Sequence, residues 1–498
     1  MRLPTYRLFQ LLLFNGIVLS IFIMPCFSQQ SEIKRQEPNN KGEGKAGKRQ
    51  RNTEVQISNG NIVLGNPTDK TITANVLLEK GIEAFIEYGK VRDQYNYKTA
   101  IVKSSGEPLV ITLNALTPGS QYFYRLNFKN AGEKTFRQSA SSWFATQKKS
   151  GTAFSFGVQG DSHPEREGKM FNPLLYKQTI DSVAVYQPDF YFLMGDDFSI
   201  DKLIERNEVN QTNVENAYLV QRYYLGNAGT NPPLFLVNGN HEQAAKYLLD
   251  GTANNAAVLA ANSRKKYFPL PVPDQFFSGD TEQQPHIGLL SDYYAFEWGN
   301  ALFVVIDPYW HSDSVVDNKA GHDKIKKRNL WDNTLGETQY KWFKQTLENS
   351  KAKFKFVFSH HVLGTGRGGV ERARLFEWGG YGQNGAWQFN KERPGWEFPI
   401  HQLMVNNKVT IFFQGHDHIF AKQELDGVIY QSVPNPADDS YTAFNRDAYT
   451  SGDILPNSGF LNVSVTAKEV IVKYVRSYMK DESATNDEAK KTFIYTIH

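Results

Sequence analysis

Four hydropathy regimes follow one another along the chain. A mostly apolar run from Leu8 to Met24 comes after Arg2 and Arg7, and residues 29–52 then carry almost no large apolar side chain. Between 54 and 147, runs rich in Val, Ile, Tyr and Phe recur at 71–78, 83–88, 109–115 and 121–128, separated by turn-forming residues. That spacing predicts an all-β region. From 152 the pattern changes. Apolar runs at 153–158, 190–194, 234–237, 301–306, 354–358 and 410–413 alternate with helical stretches at 172–186, 243–260 and 337–348. Strands this apolar are buried on both faces, which predicts a layered α/β region from 152 to 498. The alternation of Leu461, Val463 and Val465 predicts that 459–475 form the closing strands of a second sheet.

The first two regimes read as an address and a tether. Basic residues, an apolar centre and small residues before a cut are the layout of a secretory signal peptide, here 1–28, with Cys26 at −3 and Ser28 at −1 of the cut. Two other readings of the run stay open. It is short for a retained anchor, because Gln10 and Asn15 break its 17 residues. Lipidation of Cys26 is opposed by the bulky Ile23-Met24-Pro25 before it. Export places the mature chain outside the cytoplasm: secreted, periplasmic or cell-surface. Residues 29–53 are expected to be a disordered linker, since 29–52 hold seven Lys/Arg and three Asp/Glu and too little apolar surface to offset ordering. A solvated tether and a dock for an anionic surface are both compatible with it.

Composition narrows the chemistry. The chain has 498 residues, enough for two or three domains, and its formal charge is only +3. No nucleic-acid-binding domain is expected from such a balance. Cys26 is the sole cysteine, which excludes a disulfide scaffold and a cysteine-ligated zinc or iron–sulfur site. No second apolar run approaches membrane length, so no span is expected in the mature chain.

Within the all-β region, Leu116-Thr117-Pro118-Gly119-Ser120-Gln121-Tyr122 precedes an alternating strand. This resembles the tyrosine corner of a fibronectin type III-like sandwich, where the phenol ties a corner to the backbone. An ordinary strand tyrosine is the plainer alternative.

Five short motifs sit where apolar strands end. They are Gly160-Asp161-Ser162-His163, Gly195-Asp196-Asp197, Gly239-Asn240-His241-Glu242, Ser359-His360-His361 and Gly415-His416-Asp417-His418. Strand C-termini of open α/β sheets form the ligand crevice. Six of the eleven histidines fall in these motifs. Singly, each is a weak signal, since an aspartate at a strand end is usually a cap or turn residue. Together they supply what phosphate-ester hydrolysis on two metal ions needs: carboxylates able to bridge, imidazoles and an amide oxygen.

The ordered set resembles the calcineurin-like metallophosphoesterase superfamily over roughly 152–475. Tyr293 to Asn300 before Leu302-Phe303-Val304-Val305-Ile306-Asp307 carries the same likeness. With a fibronectin-like module at 54–147 ahead of it, the architecture resembles that of purple acid phosphatases. The resemblance implies a two-sheet αββα sandwich preceded by a small β-sandwich. By motif, Asp161, His163 and His418 would hold one metal ion, and Asn240, His360 and His416 the other. Asp196 would bridge them. His361 is the less favoured of its pair. His241 would lie beside the substrate, donating to a phosphoryl oxygen or protonating the leaving group, while Glu242 and Asp417 would orient ligands. The cofactor would be two ions of iron, manganese or zinc. The implied reaction is in-line attack on phosphorus by a metal-bridging hydroxide, with no phospho-enzyme.

The chain departs from purple acid phosphatases at two positions. His163 stands where they have glycine, and Ser199 stands where they have a tyrosine ligand. A ferric–tyrosinate colour is therefore not expected.

Substrate choice is less legible. Residues 364–396 hold nine of the 38 glycines together with Trp378, Trp387 and Trp396, as in a substrate-facing lid or a self-packed surface loop. Arg367 in that loop could clamp a phosphate, or simply be solvated. The basic stretch Lys324 to Arg328 could steer an anion, although a solvated insertion face is the plainer reading. The expected activity is an exported phosphomonoesterase acting on a small or polymer-borne phosphate ester. A phosphodiesterase using the same site, or an extracellular binding protein, are the alternatives.

Overall fold

The computed structural model describes residues 59–228, 232–316, 329–363, 366–479 and 492–498. The signal-peptide and linker expectations, and the basic stretch at 324–328, lie outside these residues.

Two β-sheets face each other in the α/β region. The first has six strands in the spatial order Leu234–Leu236, Phe190–Leu193, Phe154–Gln159, Gly459–Val465, Val470–Arg476 and Phe493–Ile497. The second has eight, and its centre is Ala301–Val305, Phe354–Phe358, Ile411–Gln414 and Val428–Ser432, all parallel. Alternation along each strand divides the apolar side chains between two cores. Phe156, Val158, Phe192, Phe303, Phe356, Phe358 and Phe413 point into the layer between the sheets. Tyr191 and Leu193 point the other way, beneath Pro173–Tyr186, Gln211–Ala228 and Ala256–Tyr267. Val304, Val357 and Phe412 lie beneath Glu337–Asn349 and Ile400–Asn406. The result is helix, sheet, sheet, helix. The central layer is built from phenylalanines; the Phe192 and Phe358 rings stack 4.0 Å apart. Truncating either to alanine removes about 3–5 kcal/mol of packing.

Two sequence expectations change here. The strands within 459–475 close the first sheet, not the second: Leu461 pairs with Val158 and Val465 with Phe154, antiparallel. Alternation reveals which face of a strand is buried but not which sheet it joins. The helix expected at 243–260 lies instead at Ala256–Tyr267, preceded by a single 3-10 turn at Lys246–Leu248. Asp250 Oδ1 accepts from Thr252 N and Asn255 Nδ2, and the Asn255 side chain caps the helix by accepting from Val258 N. That polar knot breaks the helix that hydrophobicity alone predicts.

The N-terminal region consists of two antiparallel sheets, consistent with a fibronectin type III-like sandwich. One contains Asn61–Gly65, Ile72–Leu77 and Leu109–Leu113; the other is centred on Glu83–Gly89 and Gln121–Lys129. The Tyr122 hydroxyl accepts from Thr117 N at 3.0 Å and sits against Thr117 Oγ1 at 3.3 Å, the corner expected from sequence. The region docks on the α/β layers through Arg222, which donates to Asn61 Oδ1, Asn75 O and Tyr267 O.

Candidate metal centre

Every motif stands on the turn that follows a strand, so the C-terminal strand ends bring all five together. The backbone there is unusual. His163, Asp196, His416 and His418 all have φ between 50° and 67°. Non-glycine residues rarely occupy this region and do so mostly at functional sites. Two motif glycines are required by crowding. A Cβ on Gly239 would collide with Asp196 N and Oδ1, and one on Gly415 with Asp161 Oδ1.

The side chains form three groups linked through His163 and Asp196. Asp161, His163 and His418 offer ligand atoms within 4.8 Å of one another, as do His163, Asp196 and His241, and Asp196, His360 and His416. Asn240 Oδ1 joins the last group, 3.1 Å from both His360 Nε2 and His416 Nδ1. Asp196 lies between the groups: its Oδ2 is 3.2 Å from His360 Nε2 and 3.6 Å from His163 Nε2. All seven candidate ligands are buried. His241 is more open and sits beside Asp196 Oδ2 at 3.8 Å, with its Nδ1 3.1 Å from Asp201 Oδ2.

Neighbouring groups hold these side chains still. Glu242 accepts from the N–H groups of Asp196, Asp197, Phe198 and Gly239, and so shapes the turn that carries Asp196. Asp417 binds Arg367 Nη1, Gly368 N and the Tyr449 hydroxyl. Met194 O lies 2.7 Å from His360 Nδ1, and Glu165 lies 3.0 Å from His163 Nδ1, which leaves each Nε2 aimed at the carboxylates. Ser199 Oγ donates to Asp201.

The electrostatics follow from buried opposite charges. Burial raises the pKa of Asp161, but His360 and His418 outweigh it and hold the carboxyl well below its usual range. Asp196 is likewise desolvated, and His360 and His241 more than compensate. Burial opposes charging of His360, yet Asp196 and Asp161 lift it to about 10. His241 is lifted to about 9 against its burial by Asp196 and Asp201. His163 goes the other way: burial lowers it to about 4, although Glu165 opposes the shift. Burial, reinforced by Asp196, raises Glu242 to about 7.

A cation fits this donor set. Among the described residues, His163 Nε2 and His418 Nδ1 are buried with no hydrogen-bond partner. Neutral imidazole beside charged carboxylate and an amide oxygen suits iron, manganese or zinc.

The calcineurin-like phosphoesterase family matches residues 154–420, more than half the chain and all five motifs. The chain belongs to the calcineurin-like phosphoesterase family. As a member of that family it is a metal-dependent phosphoric ester hydrolase. In fold it is similar to the structure of PhoD, with a TM-score of 0.61 at 14% identity over 89% of this chain and 91% of that one. It is also similar to the purple acid phosphatase PPD1 from yellow lupin (Lupinus luteus) seeds, with a TM-score of 0.53 at 15% identity over 88% and 74%. No curated protein matches the chain in sequence.

Several side chains of this phosphoesterase sit where sequence reasoning did not place them. His361 faces the Tyr309 hydroxyl through Nδ1 at 2.9 Å and stacks on His416, outside all three groups of ligand atoms. Tyr309 carried no motif. The tryptophans of 364–396, open between a lid and a self-packed loop, divide: Trp378 is fully buried and donates to Tyr430, and Trp396 stacks on Tyr340. Both cover the outer face of the second sheet, and only Trp387 is exposed. Arg166, three residues after His163, enters the site with its Nη2 2.9 Å from His241 Nε2. Gln221 reaches Ser162 and Asp197 from the helix Gln211–Ala228.

Proposed function

We propose that this phosphoesterase is an exported, dinuclear-metal phosphomonoesterase. The observation that carries the reading is that Asp196 Oδ2 faces both His163, grouped with Asp161 and His418, and His360, grouped with His416. Asp161, His163 and His418 would hold one ion and Asn240, His360 and His416 the other, with Asp196 placed between the two groups. When bound, such a pair neutralises phosphoryl oxygens and makes water acidic enough to supply a nucleophile near neutral pH. His241 is the proton donor. Asp201 holds its Nδ1, and Nε2, which faces an Arg166 N–H in the resting site, would carry the proton to the leaving oxygen once that N–H turns to the substrate. Ser199 fixes Asp201 in turn. Arg367 braces the rim, with Nη1 on His416 O and Asp417 Oδ1. The boundaries 1–28, 29–53, 54–147 and 152–498 for signal, linker, sandwich and catalytic domain belong to the same reading, as does export.

The test is a paired assay on purified protein lacking residues 1–28, with metal read by elemental analysis. One phosphomonoester and one phosphodiester are offered to wild type and to Asp196→Ala. Monoester turnover with about two metals per chain, lost in the variant, is expected. Diester preference overturns the monoesterase assignment, and absence of both metal and turnover overturns the enzyme.

A further inference from the structure

We propose that Arg166 is the residue that grips the phosphoryl group, and that Glu165 aims it. The inference rests on the phosphoesterase reading above. His163 is in the left-handed region and is followed by the one-turn helix Pro164–Arg166, which carries the arginine back over the site. Its guanidinium then has a single long-range partner. Nη2 lies 2.9 Å from His241 Nε2, while Nε donates to Glu165 at 3.2 Å and Nη1 reaches the Met170 sulfur at 3.2 Å. Glu165 Oε1 is shared with His163 Nδ1 at 3.0 Å, so one carboxylate ties the arginine to a candidate metal ligand.

Structural arginines of this molecule look different. Arg222 donates to Asn61 O, Asn75 O and Tyr267 O, Arg264 to Leu236 O and Ser291 O, and Arg393 to Trp331 O and Asn333 O. Each fastens distant backbone segments. Arg166 takes no backbone carbonyl among the described residues, and about a quarter of its side chain is exposed, at 24%. It presents N–H groups beside an imidazole that itself stands 3.8 Å from the shared carboxylate. A guanidinium has no acceptor, and its planar fork matches two oxygens of one phosphoryl group. An anion seated there meets the arginine, His241 and the metal-ligand cluster at once. Arg367 is differently committed, since its Nη1 is spent on His416 O and Asp417.

Arg166→Lys and Arg166→Gln, each metal-loaded, test this with inorganic phosphate as probe. Metal content, phosphate binding by equilibrium dialysis and phosphate inhibition of turnover are read together. Full metal content is expected in both. Phosphate binding should weaken about 10–100-fold in Arg166→Gln and less in Arg166→Lys, the range for a charged hydrogen-bonded contact. KM and the phosphate inhibition constant should rise together. Wild-type phosphate affinity in metal-replete Arg166→Gln overturns the proposal, and so does loss of metal in both variants. Wild type that binds neither metal nor phosphate and turns over no ester overturns the phosphoesterase reading itself.

Discussion

Asp196 and Asp197 are consecutive and each only 1% exposed, yet they open into regions of opposite character. Asp196 enters the imidazole cluster, where His360 and His241 keep it charged despite burial. Asp197 turns into a neutral network behind the cluster. It accepts from Ser162 Oγ at 2.5 Å, Gln221 Nε2 at 3.1 Å and Gln159 Nε2 at 3.3 Å. The Tyr176 and Tyr191 hydroxyls close that network on Gln159. Burial, with Glu242 and Asp161 nearby, pushes Asp197 well above the carboxylate range. Equal burial thus gives opposite pKa shifts, and the partners decide. One motif supplies a cation's carboxylate and, one peptide later, a carboxyl whose charge is disfavoured and which ties the first sheet to the helix Gln211–Ala228.

The largest effect should come from exchanging these two carboxylates singly for amides. Asp196→Asn removes the charge that both metal groups share, and is expected to lose metal and reduce turnover to background. Asp197→Asn keeps an acceptor oxygen for Ser162, Gln159 and Gln221. It should keep its metal and fold, with turnover within about threefold of wild type, since burial already disfavours the charge that the amide removes. Equal losses in the two would break the comparison.

His241 comes next. His241→Asn should retain both metal ions and lose about 10²–10⁴ in kcat, the range for general acid catalysis. Ser199→Ala, acting only through Asp201, should cost less and flatten the alkaline limb of the kcat–pH profile first. The same serine supplies no phenolate, so metal-loaded protein should lack an intense visible band; one that vanished on replacing a nearby tyrosine would contradict this.

What the residue order revealed, and what it hid, follows the same divide. The strand-end motifs were legible because each lies within five residues of an apolar run. Tyr122 was legible because its corner is local. Arg166 was not, since its usefulness depends on the left-handed turn at His163 and on His241, 75 residues away. Gln221 was hidden because it bonds Ser162 across 59 residues. The place of Trp378 stayed open between lid and packed loop because its partner Tyr430 lies 52 residues on. Chemistry carried by a turn is local; packing and second contacts are not.

The pH dependence of the metal-free protein sharpens the comparison further. The pKa of His360 is about 10 in the fold against 6.5 ordinarily. Its stabilisation is therefore full below 6.5 and is lost as pH rises through 10. Asp196, held well below 3.8, contributes fully above that value and loses its contribution only as pH falls beneath it. Asp197, raised above 3.8, instead costs stability as pH climbs from there. Tm of metal-free wild type should thus decline from pH 6.5 to 10. Asp197→Asn should decline less. Metal should bind more tightly over the same rise, because His360 must shed its proton to ligate. A metal-free Tm that climbs through this window would show that the carboxylate–imidazolium pairs do not govern the cluster.

The smallest effect is expected far from both regions, at the sandwich corner. Tyr122 is buried at 1% exposure, but its polar atom meets only neutral partners, Thr117 N and Thr117 Oγ1. Tyr122→Phe leaves the Thr117 N–H without its acceptor and should cost about 1 kcal/mol. The ring keeps its stacking on Phe144 at 5.6 Å, so packing is preserved. The loss should be the same at pH 6 and pH 9, with metal content and kcat unchanged. A pH-dependent loss would mean that the corner is coupled electrostatically to the centre. Pairing by neutral hydrogen bonds inside one sandwich leaves no path for that, because a neutral donor and acceptor exchange no proton over this range.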